Sequence, residues 1–168
     1  MTVNLFIDMD GTIAKFYDNP ECLEKMYEKD FFRNLKPYKI LTTLKELAKE
    51  KNNINMFILS ACIDSPYCLP EKQAWIDTHF PEIKRGNRIF LKVGESKIKK
   101  IAQYWKLNTV CVLLDDYSAN LIEWQQYIGC IPFKFDNGIN NKNKRFYRTV
   151  KNGKQLIEHL KAVGYKND

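Results

Sequence analysis

Short apolar runs alternate along this chain with stretches whose apolar residues recur at helical spacing. The runs are Val3–Ile7, Ile54–Leu59, Arg88–Leu91, Val110–Leu114 and Cys130–Phe135. They are bounded by turn-forming or charged residues and have strand length. Between them, Ile40, Leu44, Leu47 and Ala48 recur at i, i+4, i+7 and i+8. Ile98, Ile101, Ala102 and Trp105 recur at i, i+3, i+4 and i+7. Leu121, Trp124, Gln125 and Ile128 mark another such face, and Leu156, Ile157, Leu160 and Val163 a last one. The strands are largely apolar rather than alternating, so both of their faces are expected to be covered. Strand and helix in turn, joined by right-handed crossovers, predict an α/β fold with a parallel sheet between two helical layers.

One interval breaks this Rossmann-like rhythm. Residues 16–38 separate the end of the first strand from the first crossover helix and hold Phe16, Tyr17, Tyr27, Phe31 and Phe32 among many charges. That is too long for an ordinary strand-to-helix loop. Two readings are open. The segment is a small helical cap above the carboxyl ends of the strands, where ligands of such sheets bind, or it is a solvated excursion whose aromatics pack a core of their own. A second irregular stretch, Asp136–Arg145, is rich in Asn and Lys and reads as a surface loop. The rest fits one domain over residues 1–168, with residues 16–38 inserted.

Composition agrees with that picture. The chain has 168 residues, 45% of them hydrophobic and 28% charged, so it can bury a core. Its net charge of +7 invites a nucleic-acid or anionic-surface reading. The excess, however, sits in two separate stretches, residues 84–106 and 134–168, neither of them a solid block. No stable nucleic-acid complex is expected. No apolar run approaches the roughly 18 residues of a membrane span, and acid follows the first strand too soon for a signal peptide. The five cysteines, Cys22, Cys62, Cys68, Cys111 and Cys130, form no CxxC pair. They read as reduced thiols of a cytoplasmic protein.

Two of the strands end in acid pairs: Leu5-Phe6-Ile7-Asp8-Met9-Asp10-Gly11-Thr12 and Val112-Leu113-Leu114-Asp115-Asp116. Asp is a common turn residue, so these are either two unrelated turns or one convergent cluster. Carboxylates meeting at the sheet edge repel unless a cation lies between them, and hard oxygen ligands suit Mg²⁺. Gly11 permits a sharp turn after the first pair. Ser60 ends a third strand, and Gly94-Glu95-Ser96-Lys97 follows a fourth, with Lys97 in the first turn of a helix. Lys92, Lys99 and Lys100 lie close by as alternatives.

Asp8-Met9-Asp10-Gly11-Thr12, Ser60, Lys97 and Asp115-Asp116 together resemble the four motifs of the haloacid dehalogenase (HAD) superfamily of phosphohydrolases. Three further segments are similar to the narrower 5'(3')-deoxyribonucleotidase family. They are Phe6 to Phe16, Phe31-Phe32-Arg33-Asn34-Leu35-Lys36-Pro37, and Tyr67 to Ile76 with His79-Phe80 after it. The resemblance implies a HAD-like fold and a phosphoric monoester hydrolase dependent on magnesium. Asp8 would be the nucleophile and Asp10 the general acid and then base, with Lys97 and Ser60 against the phosphoryl oxygens. Asp8, Asp10 through its backbone carbonyl, Asp115 and Asp116 would form the metal set, with Asp115 a direct ligand and Asp116 direct or behind it. Thr12, Phe16, Phe32 and Ala61 are the candidate substrate-binding residues. The expected partner is a small-molecule phosphate ester, a deoxyribonucleoside monophosphate, and the oligomeric state is either monomer or homodimer. The alternatives are another small phosphate ester, a polynucleotide 3'-phosphate, or a non-catalytic binding protein. Two departures stand out: the interval from Phe16 to Phe31 is short for that family, and Ala61 replaces a second hydroxyl after Ser60. His79 and His159 are given no catalytic role.

Overall fold

A computed structural model describes residues 1–139, 146 and 148–166. The part of the Asp136–Arg145 loop from residue 140 to 145 lies outside the described residues. Six strands form one sheet: β1 (Thr2–Ile7), β2 (Ile54–Cys62), β3 (Arg88–Lys92), β4 (Thr109–Asp115), β5 (Cys130–Phe135) and β6 (Thr149–Val150). Their order is β3-β2-β1-β4-β5-β6, and every neighbouring pair is parallel. Five of the six are those the apolar runs mark. β6 is only two residues long and leaves no pattern. The helices, in chain order, are α1 (Cys22–Lys25), α2 (Ile40–Lys49), α3 (Cys68–His79), α4 (Lys97–Lys100), α5 (Ser118–Trp124) and α6 (Gly153–Ala162). Among the described residues no helix is long and apolar enough to cross a membrane. All five cysteines are free thiols.

Alternation along β1 splits the core into two layers. Val3, Leu5 and Ile7 join Leu44, Trp75, Ile76, Leu156 and Leu160 on one face, beneath α2, α3 and α6. Phe6 points the other way, into a second cluster with Leu113, Ile98, Leu121 and Trp124 beneath α4 and α5. Covering both faces is what frees the strands to be largely apolar. The strand order reverses direction between β1 and β4, and in open parallel sheets that switch point opens a crevice at the carboxyl edge. Asp8 and Asp115 stand on the two sides of it.

Two expectations change, both at helix ends. The helix read through Trp105 is a single α-turn, α4, followed after Ile101 by a 3₁₀ turn at Ala102–Tyr104. The face read through Ile128 ends at Trp124, and Ile128 is 98% exposed. There the chain turns through Gly129, at φ +77°, to enter β5. The segment 16–38 contains little helix: a 3₁₀ turn at Phe16–Asp18, the four-residue α1, and otherwise turns. It is held by its aromatics and by α3. Phe16 packs on Tyr17, Phe31 and Phe32, and Phe31 meets Phe32 edge-on. The Glu71 carboxylate accepts from the backbone N–H of Asp30 at 2.5 Å and of Phe32 at 3.1 Å. Trp75 donates its indole N–H to the Leu35 carbonyl.

Candidate active site

Asp8 follows the last residue of β1, and its N–H donates to the Leu114 carbonyl of β4. Asp115 ends β4 and Asp116 follows it. One carboxylate oxygen from each of Asp8, Asp115 and Asp116 falls within 4.8 Å of the others. The two strand ends therefore form one cluster rather than two turns. The approach is tight enough to need glycine at position 11. Its φ is +79°, and a Cβ there would stand 2.5 Å from Asp116 Oδ2.

Lys97, the first residue of α4, reaches into this cluster. Its Nζ donates to Asp8 Oδ1 at 2.5 Å and to Asp115 Oδ2 at 2.7 Å. The neighbouring Lys92, Lys99 and Lys100 are exposed, so Lys97 is the lysine that belongs to the site. Ser96 sets its entry angle by accepting from the Lys99 N–H as the cap of the turn. Burial works against the charge of Lys97, but the facing carboxylates of Asp115 and Asp8 outweigh it and hold the ammonium's pKa above its ordinary value. Asp8 responds to burial first. It is pushed up to about 8, with Lys97 pulling it down and Asp115, Asp10 and Asp116 pushing it further up. One ammonium does not offset that many carboxylates, and this is the electrostatic condition in which a divalent cation fits.

The two members of the last acid pair are engaged differently. Asp115 accepts from Tyr117 N–H at Oδ1, and from Lys97 and Asn120 at Oδ2. Asp116 accepts from the Thr12 hydroxyl at 3.3 Å and from the Asn137 amide at 2.9 Å. Its own N–H donates back to Thr12 Oγ1. Thr12 thus braces the first motif against the last from a fully buried position. Asn137 also donates to the Gly11 carbonyl, and the buried Lys134 donates to the Asp116 carbonyl. These two braces come from β5 and the turn after it, outside the four motifs.

Ser60 is buried on β2, and Ala61 beside it is half-buried. Both touch Lys72 of α3, which the sequence reading passed over. Its Nζ donates to Asp10 Oδ2 at 2.5 Å, to Ser60 Oγ at 3.1 Å and to the Ala61 carbonyl at 2.5 Å. Burial opposes its charge, but Asp10 and then the thiols of Cys68 and Cys62 outweigh that and raise its pKa. Asp10 Oδ1 is buried and has no partner among the described residues. Phe16 and Phe32 are buried in their own aromatic cluster, and the Phe32 ring faces Lys72 Nζ at 4.9 Å. A cavity of about 410 Å³ opens beside the cluster, lined by Lys97, Ala61, Tyr117 and Asn120. His79 packs on Trp75 and His159 on Phe133, both away from the acids.

Residues 8–163 match the family model described as 5' nucleotidase, deoxy (pyrimidine), cytosolic type C protein. No curated protein matches the chain. Among solved structures, the fold is similar to a haloacid dehalogenase-like hydrolase of Burkholderia xenovorans LB400. The TM-score is 0.65 at 12% identity, covering 96% of this chain and 98% of that one. It is also similar to a phosphoserine phosphohydrolase-like protein of Francisella tularensis subsp. tularensis SCHU S4. There the TM-score is 0.57 at 15% identity, covering 95% of this chain and 100% of the other.

Proposed function

Because the chain belongs to the 5'-nucleotidase, deoxy (pyrimidine), cytosolic type C family and is thus a phosphoric monoester hydrolase, we propose that it releases phosphate from small deoxyribonucleoside monophosphates with Mg²⁺ and an aspartyl-phosphate intermediate. The observation that carries this reading is Asp8. It sits at the switch point of the sheet, held by Lys97 and facing Asp115 and Asp116. A carboxylate nucleophile needs no base to activate it. It attacks phosphorus, and the P–O bond to the leaving oxygen breaks. Asp10 gives that oxygen a proton, then takes one from the water that cleaves the acyl-phosphate. Lys97 offsets charge on the phosphoryl oxygens, and the Ser60 hydroxyl donates to one of them.

The carboxylates suit Mg²⁺, which prefers oxygen ligands and keeps several waters. Asp8, Asp115 and Asp116 would hold it, with the Asp10 carbonyl. Asp115 also accepts three hydrogen bonds, one of them from Lys97, and so fixes that lysine as well. When bound, the ion supplies the positive charge that keeps Asp8 ionised beside a phosphate. Residues 16–38 act as a reduced cap whose aromatics hold it together.

The test is phosphate release with Mg²⁺ and with EDTA. The panel is deoxyribonucleoside 5'- and 3'-monophosphates, sugar phosphates and a 3'-phosphorylated oligonucleotide. Mg²⁺-dependent release, greatest from the deoxyribonucleotides, is the expected result. Release from the oligonucleotide alone would reassign the substrate.

A further inference from the structure

Lys72 has no donor to spare. Its three N–H groups go to Asp10 Oδ2, Ser60 Oγ and the Ala61 carbonyl, and an ammonium has only three. It therefore offers nothing to a phosphate. Its effect falls on the two side chains it holds. Because Oδ2 of Asp10 is taken, the oxygen left over is Oδ1, which is buried and without a partner among the described residues. Leaving a buried acceptor unmet carries a desolvation penalty, and a leaving oxygen or a water would meet it. Because Ser60 Oγ accepts from Lys72, its own proton must point elsewhere.

From this we infer that Lys72 is a positioning residue that selects Asp10 Oδ1 as the proton-exchanging oxygen. The inference rests on the phosphomonoesterase reading above. In the first half-reaction the Asp8–P bond forms, the ester P–O bond breaks, and the proton on Asp10 Oδ1 passes to the leaving alkoxide. In the second, water oxygen bonds phosphorus, its proton goes to Asp10 Oδ1, and the Asp8–P bond breaks. Both transfers need Oδ1 within hydrogen-bond reach. The Phe32 ring face, 4.9 Å from Nζ, closes the remaining side of Lys72. Glu71, next along α3, ties down the backbone of that same Phe32. A residue of segment 16–38 thus acts on the site through the lysine.

A proton-transfer role separates esters by their leaving group. p-Nitrophenolate leaves without a proton, whereas the alkoxide of a deoxyribonucleotide does not. Release of the leaving group is measured in single turnovers with enzyme in excess. The substrates are p-nitrophenyl phosphate and the best alkyl phosphate of the panel. In Lys72→Met, alcohol release falls about 100-fold or more. p-Nitrophenol release and inhibition by inorganic phosphate both stay within about threefold of wild type. Lys72→Gln, which keeps donors at similar volume, falls between the two. It carries the comparison if Lys72→Met does not melt cooperatively. Equal losses on both esters, no loss on either, or weakened inhibition by phosphate would overturn the positioning role. A wild-type protein inert on every ester would overturn the phosphomonoesterase reading instead.

Discussion

Helices α2 and α3 cover the same face of the sheet and use it for different ends. α2 turns Ile40, Leu41, Leu44 and Leu47 inward. α3 turns in Cys68, Glu71, Lys72, Trp75 and Ile76 at the same helical spacing. A buried aliphatic side chain stabilises by roughly 1.5–3 kcal/mol, so α3 gives up two such positions. It fills them with charges that would be costly if unpaired. Glu71 meets two backbone N–H groups of segment 16–38, and Lys72 meets three acceptors, on Asp10, Ser60 and Ala61. One helix is ballast and the other is a bracket. Packing alone therefore does not say which elements of a core serve its chemistry.

That contrast is sharpest if chemistry and stability come apart on mutation. Asp8→Asn, with neither helix touched, should lower single-turnover phosphate release by about 10⁴-fold or more. Its circular dichroism and cooperative melting should stay like wild type's. Leu44→Ala on α2 should do the reverse. It should lose about 2–5 kcal/mol in chemical denaturation and keep kcat once the folded fraction is counted. A tenfold fall in kcat there would erase the distinction between the helices. Glu71→Gln should cost about 1–3 kcal/mol. It should also speed amide exchange at Asp30 and Phe32 more than elsewhere.

The smallest effect is one of pH, at the end of α3. Burial first, and then Lys45, lowers the pKa of His79 below its usual value. The unfolded chain then binds more protons there than the folded one, so stability rises with pH. This contribution is complete above the unfolded value of 6.5 and is lost as pH falls through the folded one. His79→Gln should flatten that slight slope in melting temperature between pH 5 and 7.5.

The same contrast explains what could be read from residues alone. The five long strands and α2 show because apolar residues dominate them at the expected spacing, with only single polar residues such as Asn4, Asn55 and Lys134 inside the strands. Asp8, Asp10, Ser60, Lys97 and Asp115-Asp116 show because they sit at or just past the ends of apolar runs or open a helix, although Ser60 proves to lie within β2, which runs on to Cys62. α3 is nearly silent as periodicity, since Glu71 and Lys72 occupy positions where an apolar pattern is sought. Its charged pair becomes informative only when Asp10, 62 positions away in the chain, is found beside it. Asn137 and Lys134 are hidden for a similar reason. They follow or sit within a strand and act on Asp116 across a turn that no local pattern announces. The aromatics of residues 16–38 were visible as a cluster, but which of them faces the site depends on Glu71.

The register of β1 has a consequence for how the chain is made. Val3 pairs with Ile54 on one side and Val110 on the other. That strand, which leads into the proposed nucleophile Asp8, is made before either neighbour, and β4 begins only at Thr109. Until then a growing chain holds Asp8 and Ser60 on a half-sheet with an open apolar edge, the kind of surface chaperones cover. Long-range closure of this sort also slows folding. An early stop before β4 would leave a fragment poised to pair with its own copies, so for this protein translational fidelity and solubility are one problem.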